Sequence, residues 1–127
     1  MALSYATNLR DTRATATVTA AGASAKIKYY NGTRPATGAA ITSQTLLATL
    51  VGGAVLGAVA SQVLTFGAVT QNNATHVSGT PTWVRITTSA DVFVADLSIP
   101  ADMTFTGTIA TGVDITLGAT TITEGNA

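Results

Sequence analysis

The side chains able to do acid–base, nucleophilic or metal chemistry are few: one histidine, one glutamate, five aspartates and no cysteine in 127 residues. His76 ends a polar run, Gln71-Asn72-Asn73-Ala74-Thr75-His76, where an imidazole is ordinarily solvated and has no partner nearby to make it a base or a ligand. Asp91, Asp96 and Asp102 come nearest to a carboxylate cluster. Strand periodicity puts Asp91 and Asp96 on opposite faces, and no glycine-centred calcium loop surrounds them. The chain has no phosphate-cradling glycine loop, no dinucleotide fingerprint and no Gly-x-Ser-x-Gly elbow. The expectation is a protein that is not an enzyme, with no cofactor and no metal.

Residues suited to recognition are easier to find. Arg10 and Arg13 fall in an Ala-rich segment that reads as an exposed helix, and Arg34 precedes Pro35 in a loop. Trp83 sits in a Thr-rich strand beside Arg85, on the face opposite Val84 and Ile86. Trp and Arg are the residue types that dominate contact energies, so Arg10, Arg13, Arg34 and Trp83 are the candidate partner-binding residues. The competing reading is ordinary: solvated arginines, and an amphipathic Trp lying along a sheet face.

Only 9% of the residues are charged and the formal net charge is zero. The six Lys and Arg are too scattered to form the basic face that nucleic acid requires, so no nucleic-acid partner is expected. A neutral surface of Thr, Ala, Ser and Gly lacks the repulsion that keeps monomers apart, and suits a subunit that packs against others. Without cysteine, neither disulfides nor thiolate sites hold the fold. The first residues, Met1 to Tyr5, show no basic-then-apolar leader.

One helix and many short strands must position these residues. Ser4 as cap, abundant Ala and a stop at Gly22 predict a helix over residues 4–21, although Thr15, Thr17 and Thr19 alternate with apolar residues as a strand would. From residue 25 to 124 the pattern is all β. Lys26–Tyr30 alternates and stops at Asn31-Gly32, a strong turn signal, and residues 34–38 read as an exposed loop. Residues 81–88 and 92–98, joined by Ser89-Ala90-Asp91, read as a hairpin. Val84 and Ile86 share one face, and Phe93, Ala95 and Leu97 are set inward. Short Thr-rich strands follow at 103–107, 113–117 and 119–123. The predicted fold is a single domain, 1–127, mainly β: an antiparallel two-sheet, jelly-roll-like sandwich behind one N-terminal α-helix.

The window Leu46 to Phe66 is mostly apolar and contains Gly53-x-x-x-Gly57, so a membrane helix has to be weighed. Its Gly52-Gly53 pair, its polar Thr49, Ser61, Gln62 and Thr65, and its lack of flanking Lys, Arg, Trp or Tyr anchors argue instead for strands at 45–51, 54–59 and 62–66. No membrane partner is expected.

Three pieces in order, Tyr30-Asn31-Gly32-Thr33-Arg34-Pro35-Ala36, Leu46-Leu47-Ala48 and Gly79-Thr80-Pro81-Thr82-Trp83, resemble a group of small tailed-bacteriophage virion proteins, over roughly residues 1–99. The resemblance implies that residues 4–21 are helical. It also implies a capsid cement or decoration protein, made in the host bacterial cytoplasm and carried on the capsid surface of the virion. Its partners would be the major capsid protein and copies of itself, as a homo-oligomer on the particle. A tail, collar or fibre-associated module, structural or receptor-binding, is the alternative.

Overall fold

The computed structural model describes residues 6–36, 38–66, 69–71, 77–99, 108–110, 115–117 and 121–123. The protein is mainly β, with one helix and antiparallel sheets. Helix α1 (Thr7–Ala21) is followed by β1 (Lys26–Tyr30), β2 (Leu46–Val51), β3 (Gly57–Ala60), β4 (Val63–Phe66), β5 (Val69–Gln71), β6 (Trp83–Thr87), β7 (Phe93–Ser98), β8 (Ile115–Leu117) and β9 (Thr121–Thr123). The main sheet runs β2-β1-β6-β7, a second runs β3-β4-β9, and β5 pairs with β8. The expected strand at 103–107 lies outside the described residues.

The helix begins later than its sequence predicts. Ala6, which has no side-chain acceptor, occupies the cap position instead of Ser4, and the residues before it lie outside those described. Its end is as read: Gly22 turns left-handed at φ 70° and returns its N–H to the Val18 carbonyl at 3.1 Å, a conformation that glycine adopts without a Cβ clash. Ala14, Val18 and Ala21, spaced four and three apart, form the face that packs inward. Small side chains let α1 lie close to β3, β4 and β7. Asp11 adds a polar tie by accepting the Gln62 N–H at 2.7 Å. Ser61 and Gln62 both have positive φ, as a two-residue hairpin turn with the native twist requires.

The apolar window folds as strands. Gly52 and Gly53 separate β2 from the β3–β4 hairpin, and residues 54–56, expected in a strand, form a bend. Among the described residues no helix is long and apolar enough to cross a membrane.

Residue pairing divides the main sheet into two faces. One face joins Leu50, Ile27, Ile86 and Ala95 on one rung, and Ala48, Tyr29, Val84 and Leu97 on the next. It meets Leu56, Leu64, Phe66 and Ile109 in the buried core. Two irregularities break strict alternation. Opposite the Tyr29–Tyr30 step an extra residue sends both Leu47 and Ala48 into the core, and a shift at Ile86–Thr87 packs Val94 against it. The second shift overturns the expectation for Phe93. It pairs with Thr87 on the other face and remains 36% exposed, because a bulge resets the two-residue period beyond it.

Candidate functional site

The other face of the main sheet gathers most of the recognition chemistry among the described residues. Read across β2, β1, β6 and β7, its rungs are Val51, Lys26, Thr87, Phe93; then Thr49, Lys28, Arg85, Asp96; then Leu46, Tyr30, Trp83, Ser98. Side chains directly opposite on one face of a sheet lie close enough to interact, and here they do. Tyr30 and Trp83 stack with ring centroids 4.5 Å apart and planes inclined by 12°. The Arg85 guanidinium lies 5.4 Å from the Trp83 ring centre and 5.2 Å from that of Phe93, a cation held between two π faces. Its Nε and Nη2 donate to the two Asp96 carboxylate oxygens at 2.7 and 2.9 Å. The planar fork matches the carboxylate, and the hydrogen bonding that Arg85 donates to Asp96 raises the Arg85 pKa above its ordinary value.

A second ion-pair group lies at the sheet end. Lys26 donates to both Asp91 oxygens at 3.0 Å and Lys28 to one at 2.7 Å. Hydrogen bonds from Lys28, then from Lys26, hold the Asp91 carboxyl below the usual carboxylate range. Asp91 adopts φ 66° at the β6–β7 turn, which swings its carboxylate over lysines that share a face with Arg85. Asp91 and Asp96 therefore occupy the same face, not opposite faces as their spacing predicts; the turn and the bulge between them break the alternation on which that expectation rested.

Residues 31–36 and 38–45 form a strap over this face. Its ends are tied together: the Asn31 N–H donates to the Thr45 carbonyl at 3.2 Å, and the Thr45 N–H donates to Asn31 Oδ1 at 2.8 Å. Its body bonds to the sheet. Arg34 Nε donates to Ser98 Oγ at 3.1 Å, the Gly38 N–H to Asp96 at 3.4 Å, Thr82 Oγ1 to the Gly32 carbonyl at 2.6 Å and Trp83 Nε1 to the Asn31 carbonyl at 3.2 Å. Gly38 also approaches the Phe93 ring, at a φ of 71° that favours glycine.

Of the sequence-predicted recognition residues, the structure brings Arg34 and Trp83 to one place and leaves Arg10 and Arg13 on α1. Arg34 is exposed, as read, but is tied to Ser98. Trp83 is 1% exposed, so it is a buried member of the outer face and not a free surface anchor. Alternation in β6 showed that Trp83 and Arg85 share a face; it could not show that a strap crosses them. Tyr30, Asp96 and Phe93 were missed as partners because each comes from a strand that pairs only in three dimensions. His76 and Asp102 lie outside the described residues. Among the described residues no three His, Cys, Asp or Glu side chains stand together as metal ligands would.

No protein-family model, curated protein or solved structure matches the chain.

Proposed function

We propose that this protein is a structural, non-enzymatic virion component that binds an assembled bacteriophage capsid and stabilises it, its partners being the major capsid protein and copies of itself. In this reading the sheets form the two layers of a jelly-roll-like sandwich. The observation that carries the reading is where the charges go. Lys26, Lys28, Arg85, Asp91 and Asp96 are spent on one another inside the chain, Asp11 on the helix-to-hairpin tie and Arg34 on Ser98. What faces outward includes apolar Leu9, Leu46, Val51, Val55, Val77 and Val92 amid Thr, Ala, Ser and Gly. Such a surface favours short-range apolar and neutral polar contact over charge steering.

A protein that binds only the assembled shell stabilises it by mass action, and many symmetric copies multiply a modest contact. Purified protein added to shells that lack it should bind and raise their melting transition, with little change from low to high salt. Absence of binding, or binding only to tail structures, rejects the shell reading in favour of the tail or collar alternative. Loss of binding at moderate salt would show that ionic contacts dominate.

A further inference from the structure

The strap and what lies beneath it differ sharply in how they are held. None of its described residues is buried, and its attachments to the sheet are hydrogen bonds made largely by exposed groups. Segments with few buried apolar contacts and exposed hydrogen bonds open at lower cost than the core. Under it stand Tyr30, Trp83 and Arg85, all buried, with Asp96. Tyr, Trp and Arg are the side chains that carry most contact energy between proteins. Outside this array the described surface offers no exposed aromatic residue, for Phe93 belongs to the array itself.

We infer that the strap, residues 31–36 and 38–45, is a cover that opens while the sheet stays folded, and that the uncovered Tyr30–Trp83–Arg85 array receives an extended, uncharged segment of the shell protein. The binding half of this inference rests on the shell-binding reading above; the opening half does not. The chemistry of the occupant follows from what the strap supplies. It gives a backbone carbonyl to the Trp83 indole N–H and a backbone N–H to Asp96, both of which an extended chain can replace. A charged occupant is disfavoured, because Asp96 already neutralises Arg85 and a second charge would be desolvated without a partner.

Two experiments test this. Native-state hydrogen exchange reads opening: the Gly38 and Thr45 amides and the Trp83 indole N–H should exchange at least about tenfold faster than the β1 and β6 amides. Gln44→Ala, which removes the bond that Gln44 Nε2 donates to the Thr33 carbonyl and the one that Gln44 Oε1 accepts from the Thr42 N–H, should speed strap exchange about fivefold and leave the sheet unchanged. Equal exchange of strap and sheet, or no response to Gln44→Ala, overturns the opening. The chain has no cysteine, so Gly38→Cys with Phe93→Cys introduces the sole thiol pair, where the strap meets the sheet. Phe93 is part of the array, so the variant is compared with itself: oxidised, it should bind shells at least about tenfold more weakly than reduced, a difference of about 1.4 kcal/mol. If the reduced form binds no shell, the association of Gln44→Ala with shells decides. Equal binding in both forms rejects the inference and spares the shell reading, whereas parent protein that binds no shell rejects the shell reading and leaves exchange to decide whether the strap opens. Should the cysteine pair melt far below the parent when reduced, Gln44→Ala serves in its place: faster association with shells supports the inference, and unchanged association overturns it.

Discussion

Burial does chemical work at single residues here, and Tyr29 is the sharpest case. Its ring is fully buried in the core, and burial pushes its phenol pKa up from 10.0 to about 12, since the phenolate cannot be solvated there. The folded protein holds that proton more tightly than the unfolded chain. The resulting stability is complete below pH about 10 and is lost as pH rises from 10 to about 12. A two-unit shift corresponds to roughly 3 kcal/mol at most. Urea midpoints recorded from pH 9 to 12.5 should therefore fall steeply in the parent and less steeply in Tyr29→Phe; identical slopes would refute the assignment. Tyr30 is shifted in the same direction by burial, with Arg85 opposing, so Tyr29→Phe should leave some dependence behind. Asp91 behaves oppositely. Its lowered pKa contributes stability above the ordinary carboxylate value that is lost as pH falls, and solvent screens that contribution because Asp91 is exposed. At this scale the sequence told residue type and neighbours on a strand, which sufficed to place Trp83 with Arg85. It could not tell that a strap would bury them, because the hydrogen bonds that fix the strap join residues up to 64 positions apart.

Among the elements, those governed by local signals were legible and those governed by pairing were not. β1 coincides with the alternating run Lys26–Tyr30, and the β6–β7 hairpin falls where its turn residues place it. The bulges that admit Leu47 and Val94 to the core are set by two strands together, so neither strand alone announces them. The helix shows both behaviours: Gly22 ends it as read, but its start at Thr7 after Ala6 lacks a side-chain cap. An Asp there would accept an otherwise unmet N–H of the first turn and place a negative charge at the positive end of the helix dipole. Ala6→Asp should thus stabilise the protein by about 1 kcal/mol, a rise in Tm of roughly 3 °C. In contrast, Gly57→Ala should destabilise by about 3 kcal/mol, since its Cβ would be driven into the Thr65 carbonyl and to 2.9 Å from Phe66 Cα. Thermal melts of both variants check the pair; a gain in Gly57→Ala would mean that β3 and β4 separate more readily than their pairing implies.

For the whole molecule, the governing quantity is a net charge that hardly moves. Six Lys and Arg balance six Asp and Glu, and the chain has a single His, the residue type whose unperturbed charge change falls near neutrality. Ordinary carboxylates finish ionising below pH about 5.5 and Lys begins to lose its proton above pH about 9, so between these limits the molecule stays within about one charge of zero. Long-range repulsion between copies is therefore weak across that range, and any contact between apolar and neutral surfaces should be equally accessible throughout. Acid changes this. As the carboxylates protonate, the six cations are left unopposed and copies repel. Asp91 is held below the usual carboxylate range by Lys28 and then Lys26, so its own negative charge persists to lower pH than that of an ordinary carboxylate. Light scattering of concentrated protein at low salt should show net attraction that is flat from pH 6 to 8 and turns to repulsion below about pH 4. Added salt should restore attraction in the acid range and leave it unchanged at neutrality. Attraction that instead rose or fell steeply between pH 6 and 8 would implicate His76 in the contact between copies, and would contradict a surface whose adhesion depends on the absence of charge.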